Sequence, residues 1–190
     1  LIRNDLAFGA DKLHLADLLG EFDEQDQEDM LAACDGRVLV LKTQPAGAVG
    51  ETWHVNVYQH TSTAPVHLRR HVWNACQAVI QQAQKQHAAV LVSGDLNAVV
   101  DREDRSTDRL QAADKSMAAF IRRSTGIAAK ATDQTQRSWE SPIGVAAANL
   151  DHVVAFPDSI RLSAREVMAP LAPELDHRPV AVVLDHSVFG

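Results

Sequence analysis

The sequence has little cysteine, few aromatic residues and no long hydrophobic run, and these absences exclude several classes of protein. Cys34 and Cys76 are isolated and lack metal-ligand spacing, which argues against a disulfide framework or a zinc site and favours a reducing compartment. No apolar run approaches the roughly 20 residues that cross a bilayer, and no signal-peptide pattern opens the chain. We therefore expect a soluble, intracellular protein with no membrane partner.

A strong excess of basic residues is also missing, since the formal net charge of the 190 residues is −7. Residues 1–36 contain 2 basic and 10 acidic residues, whereas residues 37–190 contain 16 basic and 15 acidic residues. The body of the chain is thus nearly neutral, which suits contact with a few phosphates but not strong nonspecific affinity for nucleic acid. The length and the hydrophobic content of 46% predict one domain, residues 1–190, with a substantial core.

Hydrophobic periodicity predicts more strands than helices. Apolar residues at helical spacing indicate two clear helices, at residues 65–86 and 110–121, and a weaker amphipathic pattern covers residues 11–33. Runs typical of strands lie at residues 37–43, 52–58, 88–92, 150–156 and 179–184. A doubly wound sheet needs a helix between most strands, so the pattern favours an α/β sandwich of two packed, mostly antiparallel and mixed sheets with helices outside.

Polar residues follow the buried strand at residues 88–92. This strand ends in Ser93-Gly94-Asp95-Leu96-Asn97, which places an acid and an amide at its carboxyl end, the edge where α/β folds usually bind ligands. Asp95 and Asn97 are two positions apart and project to the same side of an extended segment. The simpler alternative is a strand followed by an Asx-capped turn.

Two further motifs place acids at strand edges: Asn149-Leu-Asp-His-Val-Val154 and Leu175-Asp-His-Arg-Pro-Val180. Gly-Asp-Leu-Asn, Leu-Asp-His-Val-Val and Asp-His-Arg-Pro-Val, in this order, resemble the endonuclease/exonuclease/phosphatase superfamily of DNase I-like, metal-dependent phosphoesterases. The resemblance covers roughly two thirds of the chain. The continuation at residues 97–106, Asn-Ala-Val-Val-Asp-Arg-Glu-Asp-Arg-Ser, is similar to the endonuclease domains of LINE-type retrotransposons.

The resemblance implies a role for each motif residue. Asp176 would be the ligand of Mg²⁺, with Mn²⁺ as the alternative, because hard oxygen ligands suit these ions. His177 would contact the scissile phosphate and be oriented by Asp151, which fixes the imidazole tautomer. Asp95 would orient or deprotonate the attacking water, and Asn97 would hold a phosphate oxygen.

Other side chains have two interpretations each. Tyr58 ends a strand where the family has a tyrosine that contacts the phosphate, or it is an ordinary interfacial tyrosine. Arg69, Arg70 and His71 either meet phosphate or form an exposed basic helical turn. Trp139 either stacks on a base or belongs to the core, and the core is preferred.

The chain departs from the family pattern in three places. The two family strands that end in a functional Asn and a metal-binding Glu have no counterpart upstream of Leu1, so the domain is expected to lack its first strands. Leu175 stands where relatives have Ser, and His152, where many have Tyr, is interpreted as structural. Arg105 stands at the position of the Asp-Arg pair of the LINE-type domains, and the alternative is a structural ion pair with Asp104 or Asp101.

These observations predict a Mg²⁺-dependent phosphodiester hydrolase, first of all an endonuclease that acts on DNA, and a nuclear protein if it belongs to a retroelement. The alternatives are an RNA nuclease or a phosphatase of the same fold, or a non-catalytic relative that serves as a scaffold. The sheet deprived of its first strands is expected to be covered by another chain or segment, or by the acidic N-terminal stretch.

Overall fold

The computed structural model describes residues 8–45, 50–106, 109–130, 136–141, 143–144, 146–157, 160–169 and 176–183. The strands are β1 (Phe8–Leu13), β2 (Val38–Pro45), β3 (Thr52–Val57), β4 (Ala89–Asp95), β5 (Ile127–Ala128), β6 (Trp139–Glu140), β7 (Ala147–Ala148), β8 (Asp151–Phe156), β9 (Glu166–Val167) and β10 (Val180–Ala181). The helices are α1 (Leu15–Leu18), α2 (Glu24–Cys34), α3 (Val66–Lys85) and α4 (Ala112–Arg123), and a short 3-10 helix spans Arg102–Asp104.

A six-stranded mixed sheet, in the order β1-β2-β3-β4-β8-β5, organises the chain. Among the strands described, β3 and β4 form the one parallel pair, and the other pairs of this sheet are antiparallel. The predicted α/β class with a mixed sheet and external helices is therefore confirmed, and the doubly wound alternative is excluded.

Alternation along β3 decides which face of the sheet is covered by helices. Trp53, Val55 and Val57 are 2% exposed or less and join the main core, as the sequence predicted, while His54 and Asn56 lie on the opposite face. In β4, Val90 and Val92 face the same main core, whereas Leu91 packs on the opposite face with Ala155 and Ile160.

Helix α3 carries a stripe of buried residues at helical spacing, including Val72, Cys76, Val79 and Ala83, which confirms the predicted helix to within one residue at each end. It contacts α4 through Trp73 and Phe120, whose ring centroids are 4.6 Å apart, and Phe120 in turn contacts Phe156 of β8. No helix in the described part of the chain is long and apolar enough to span a membrane.

The prediction of one helix over residues 11–33 is wrong for its first half. Residues 11–13 belong to β1, which pairs with β2 at the edge of the sheet, and α1 ends before Gly20. Asp23 then starts α2, because its carboxylate accepts a hydrogen bond from the Asp26 backbone N–H at 2.8 Å. The acidic N-terminal stretch thus extends one sheet edge and packs α1 and α2 against α3.

The other face of the large sheet is covered by short ribbons in the described residues. Strand β10 pairs with β9, and β6 pairs with β7. Val180 and Val182 line a cavity of about 620 Å³ whose opposite wall includes Leu91 and Val153 of the large sheet. The second layer of the predicted sandwich is therefore present as two-stranded ribbons, shorter than the predicted strand at residues 179–184, of which Leu184 lies outside the described residues.

Candidate active site

The ends of β4 and β8 place two acids side by side. These strands are antiparallel, and Asp95 at the end of β4 is registered directly opposite Asp151 at the start of β8. The chain continues this pairing for one more residue, because the Leu96 N–H donates to the Leu150 carbonyl at 2.9 Å. Directly opposed residues of antiparallel strands share a face, so both carboxylates lie at the same edge of the sheet.

Gly94 allows β4 to approach β3 at this point. Its φ is +126°, and a Cβ built on it would lie 2.2 Å from the Val57 carbonyl oxygen. A side chain is excluded by both the conformation and the contact. The glycine before Asp95 is therefore a packing requirement of the site.

Residues 176–178 bring the third motif to the same place. The Arg178 N–H donates to the Ser138 carbonyl at 2.7 Å, and the Glu140 N–H donates to the Asp176 carbonyl at 3.1 Å, so this segment lies alongside β6. His177 Nδ1 lies 2.9 Å from Asp151 Oδ2. The sequence prediction of a distance within about 3.2 Å is thus confirmed, and the pair orients Nε2 toward Asp95.

His177 and Asp95 influence each other's protonation. The hydrogen bond to Asp151 raises the pKa of His177 above its usual value, against the opposing effect of burial. The pKa of Asp95 is raised to about 6, chiefly by burial; Asp151 and Asp176 also raise it, while the Asn97 backbone N–H and His177 lower it. His177 Nε2 is 3.8 Å from Asp95 Oδ2. This separation is too short for a phosphate to lie between the two atoms, so the predicted gap is absent there.

Asn97 adopts a left-handed conformation, φ +48°, and folds back on Asp95. Its backbone N–H donates to Asp95 Oδ1 at 2.9 Å, which is the Asx-capped turn given as the simpler alternative. Its side-chain Nδ2 donates to the Gln59 carbonyl at 2.7 Å and to Asp95 Oδ2 at 3.2 Å. Both amide hydrogens are therefore engaged, and in this arrangement Asn97 orients Asp95 rather than presenting a free donor to a phosphate.

Asp176 is exposed, and one of its oxygens accepts a hydrogen bond from Trp139 Nε1 at 3.1 Å. Trp139 is partly buried against a small cluster of Val99, Ala148 and Leu150 and also lines the cavity described below, so it is not a fully buried core residue. No group of three or more His, Cys, Asp or Glu side chains in the described residues is arranged to hold a metal ion. Asp176 with its second oxygen remains the predicted ligand.

These side chains surround one cavity of about 420 Å³, whose lining includes Tyr58, Asp95, Asn97, Asp176 and His177. All the predicted site residues except Asp151 therefore line this cavity. Asp151 does not line it but is hydrogen-bonded to His177, which does. Tyr58 is 51% exposed and lines this cavity. Its predicted contact with the phosphate remains a prediction.

Arg69 has a different role from either sequence interpretation, because it is 4% exposed and meets neither phosphate nor solvent. Its Nη1 donates to the carbonyls of Thr61 at 2.9 Å, Ser62 at 3.2 Å and Ala64 at 2.6 Å. Thr61 and Ser62 line the cavity, so Arg69 holds one of its walls. The next residue, Arg70, is exposed as predicted.

Arg105 also differs from its prediction. It forms a bidentate ion pair with Asp114 and not with Asp104 or Asp101. Nη2 donates to Oδ1 at 2.7 Å, and Nε donates to Oδ2 at 3.2 Å. Asp114 also accepts the Val99 N–H at 2.8 Å. The pair therefore joins α4 to the segment that follows Asn97.

A buried polar cluster lies behind Asp151, and most of it was not identified from the sequence. His152 is 1% exposed, as its structural interpretation requires, with Nε2 2.9 Å from the Ala98 carbonyl and Nδ1 3.0 Å from Arg165 Nη1. Arg165 Nη2 donates to Asp104 Oδ1 at 3.2 Å, and Asn149 Nδ2 donates to the same oxygen at 2.7 Å. Arg165 lies far along the sequence from its partners and outside any motif, so no sequence signal marked it.

This buried cluster fixes the backbone of Asp151. Arg165 Nη1 donates to the Asp151 carbonyl at 3.0 Å, and Ser138 Oγ accepts the N–H groups of Leu150 at 3.0 Å and Asp151 at 3.1 Å. The peptide units on both sides of Asp151 are therefore held by buried side chains. Leu175, the departure from the family's Ser, lies outside the described residues.

No protein-family model matches the sequence, and no curated protein matches it. Solved structures do. The endonuclease domain of TRAS1, a telomere-specific non-LTR retrotransposon, superposes with a TM-score of 0.61 at 11% identity, covering 97% of this chain and 71% of that one. The 3'-5' exonuclease NExo from Neisseria meningitidis has a TM-score of 0.57 at 13% identity and covers 77% of this chain. The AP endonuclease LMAP from Leishmania major has a TM-score of 0.57 at 19% identity and covers 76%.

The chain therefore has the same fold as these nucleases, the DNase I-like fold that the resemblance of the three motifs implied. It spans 64% of the length of NExo and 53% of that of LMAP. A further structure of NExo is described as a 3' phosphatase bound to a product DNA hairpin. At these identities the comparisons establish the fold, and the residues of this chain must carry the argument about its reaction.

Proposed function

We propose that this protein is a metal-dependent phosphodiester hydrolase that cleaves nucleic acid, with DNA as the first substrate to test. The observation that carries the proposal is the geometry of Asp151, His177 and Asp95. A histidine held by one carboxylate at 2.9 Å lies 3.8 Å from a second, half-buried carboxylate, and the histidine and this second carboxylate line a single cavity. Three motifs distant in the sequence meet there, as a hydrolytic site requires.

The residues present supply the groups that hydrolysis needs. The attacking water forms a bond to phosphorus and gives its proton to Asp95, whose pKa of about 6 makes it a stronger base than an ordinary aspartate. His177, whose protonated form is favoured by its hydrogen bond to Asp151, donates from Nε2 to a phosphoryl oxygen. The P–O bond to the leaving oxygen breaks, and that oxygen takes up a proton from solvent.

The donor set fits a magnesium ion at Asp176. Mg²⁺ is commonly held by one or two carboxylates and several waters, and Asp176 is exposed at the edge of a cavity that also holds Asp95. The raised pKa of Asp95 reflects burial and neighbouring negative charge, which a cation would offset. When bound, the ion would stabilise negative charge on the phosphoryl group.

A specific observation also favours a second candidate, a non-catalytic relative that binds a partner. Both amide hydrogens of Asn97 are engaged by the protein itself, by the Gln59 carbonyl and by Asp95. RNA, an abasic site or a small phosphoester remain alternative substrates under the first candidate. An assay with several substrates separates these possibilities.

The test is nicking of a supercoiled plasmid with Mg²⁺, Mn²⁺ or EDTA. We expect nicking that requires the metal and that falls by about 10²–10⁴-fold in Asp95→Asn and in His177→Ala. Asp17→Asn and His67→Ala, two exposed residues on α1 and α3, are matched controls and should keep full activity. Nicking that survives both site substitutions, or no hydrolysis of any substrate with either metal, would refute the enzyme proposal and leave the binding protein.

A further inference from the structure

A second cavity opens beside the candidate active site and shares a wall with it. Its volume is about 740 Å³, compared with about 420 Å³ for the active-site cavity, and Tyr58 lines both. The end of α2, the turn at residues 34–37, the start of β2 and Asn56 form the rest of its lining together with β1 and α1. Tyr58 is therefore a boundary that the two cavities have in common.

The lining of the second cavity combines cationic and apolar groups. The guanidinium of Arg37 lies 4.9 Å from the centre of the Tyr58 ring, and its Nη1 donates to the Tyr58 carbonyl at 3.3 Å. Lys12, which is exposed, adds a second cation, and Asp35 contributes one carboxylate. The side chains of Leu15, Leu31 and Leu39 supply the apolar part.

We propose that this second cavity binds the portion of a polynucleotide that flanks the scissile phosphate, which makes the substrate a nucleic acid strand rather than a small phosphoester. This inference rests on the proposed function. Single-stranded nucleic acids are held by cations that meet the backbone and by aromatic or apolar side chains that contact bases and sugars. Arg37 and Lys12 supply the first kind of contact, and Tyr58 with Leu39 supplies the second.

The position of Arg37 explains how the two cavities act together. Arg37 is half-buried, stacked on Tyr58 and hydrogen-bonded to its backbone, so its charge is held at the boundary between the two cavities. A planar, pre-oriented guanidinium is well suited to a phosphate and costs little conformational entropy on binding. Lys12 lies on β1, a different strand, and therefore tests the second cavity without disturbing the Arg37–Tyr58 contact.

The experiment compares a polymeric and a small substrate with the same enzyme. We expect Arg37→Ala and Lys12→Ala each to raise KM for a single-stranded oligonucleotide by about 5- to 10-fold, since each removes a contact to the strand. Hydrolysis of bis(p-nitrophenyl) phosphate, which fills only the active-site cavity, should change less than about 2-fold. Arg122→Ala, on the exposed side of α4, is the control and should alter neither reaction.

The proposal would be overturned if Arg37→Ala lost activity equally on both substrates while Lys12→Ala kept its activity on both. Arg37 would then act only by supporting Tyr58. Unchanged oligonucleotide kinetics in both variants would overturn it as well. If the wild-type protein hydrolyses neither substrate, the proposed function fails, and the second cavity is tested by fluorescence anisotropy of a labelled oligonucleotide in EDTA. Binding weakened in both variants supports the cavity, and no binding by the wild type refutes it.

Discussion

Two polar clusters lie back to back in this protein and differ in what their surroundings do to them. The open cluster consists of Asp95, Asp151, Asp176 and His177, and the buried cluster consists of Ser138, Asn149, Asp104, His152 and Arg165. The side chain of His177 is 34% exposed, whereas that of Arg165 is 1% exposed. The two contain similar residue types, so the difference in solvent access and hydrogen bonding separates their roles.

The two histidines show the difference most clearly. His177 donates to a carboxylate, which raises its pKa. His152 is buried beside the cationic Arg165, and burial first and Arg165 second lower its pKa to about 4. The open cluster therefore favours the protonated form of its histidine, while the buried cluster favours the neutral form, and His152 serves as a structural hydrogen-bonding group.

The largest effect is expected from removing the counter-charge of the buried cluster. Asp104→Asn removes the buried carboxylate that accepts from Arg165 Nη2 and should lower the free energy of unfolding by about 3 kcal/mol. Urea denaturation measures it, with Glu103→Gln, an exposed residue of the same 3-10 helix, as the control. If Asp104→Asn lowered the free energy of unfolding no more than Glu103→Gln does, the buried cluster would not depend on the negative charge of Asp104.

Arg69 offers a second comparison, between adjacent arginines of α3. Arg69→Met removes the donor that three carbonyls share and should cost about 2 kcal/mol of stability, whereas the same change at the exposed Arg70 should cost less than about 0.5 kcal/mol. Thermal unfolding of both variants measures the difference. Equal melting temperatures would mean that the residue 61–64 wall does not depend on Arg69.

The pH dependence of stability should separate the clusters. Because the unfolded chain protonates His152 near 6.5 and the folded chain only near 4, stability from this residue is present above about 6.5 and is lost as the pH falls toward 4. The loss is at most about 1.4 kcal/mol per pH unit. Denaturation of the wild type and His152→Gln between pH 4.5 and 7 should show a flatter profile in the variant, and parallel profiles would contradict the buried neutral histidine.

The smallest effect concerns the open cluster. Asp151→Asn removes the negative partner of His177 and should lower its pKa, which NMR titration of the metal-free protein measures. A group with a raised pKa stabilises the fold below its unfolded pKa and loses that contribution as the pH rises through the folded value, the opposite direction to His152. With His177 partly exposed, the stability change should be well below 1 kcal/mol. An unchanged His177 pKa would contradict the pairing.

The open cluster was predictable because its residues occur in short motifs at strand ends. Asp95, Asp151 and His177 each follow or precede an apolar run, and strand ends of one sheet meet at a common edge. The contact between His177 and Asp151 was therefore correctly predicted to within the range of a hydrogen bond. The hydrogen bond from the Asn97 side chain to the Gln59 carbonyl was not predicted, because it depends on the path of the chain after β3.

The sequence by itself determined the α/β class, the helix at Val66–Lys85, the alternation of β3 and the residues that meet at the open cluster, since periodicity and strand-end motifs are local properties. Tertiary structure alone decided the partner of Arg105, the burial of Arg69 and the whole network around Arg165. A charged side chain can be buried only where acceptors from distant segments converge on it, and Asp104 lies 61 positions from Arg165. That convergence is a property of the folded chain, and no local pattern records it.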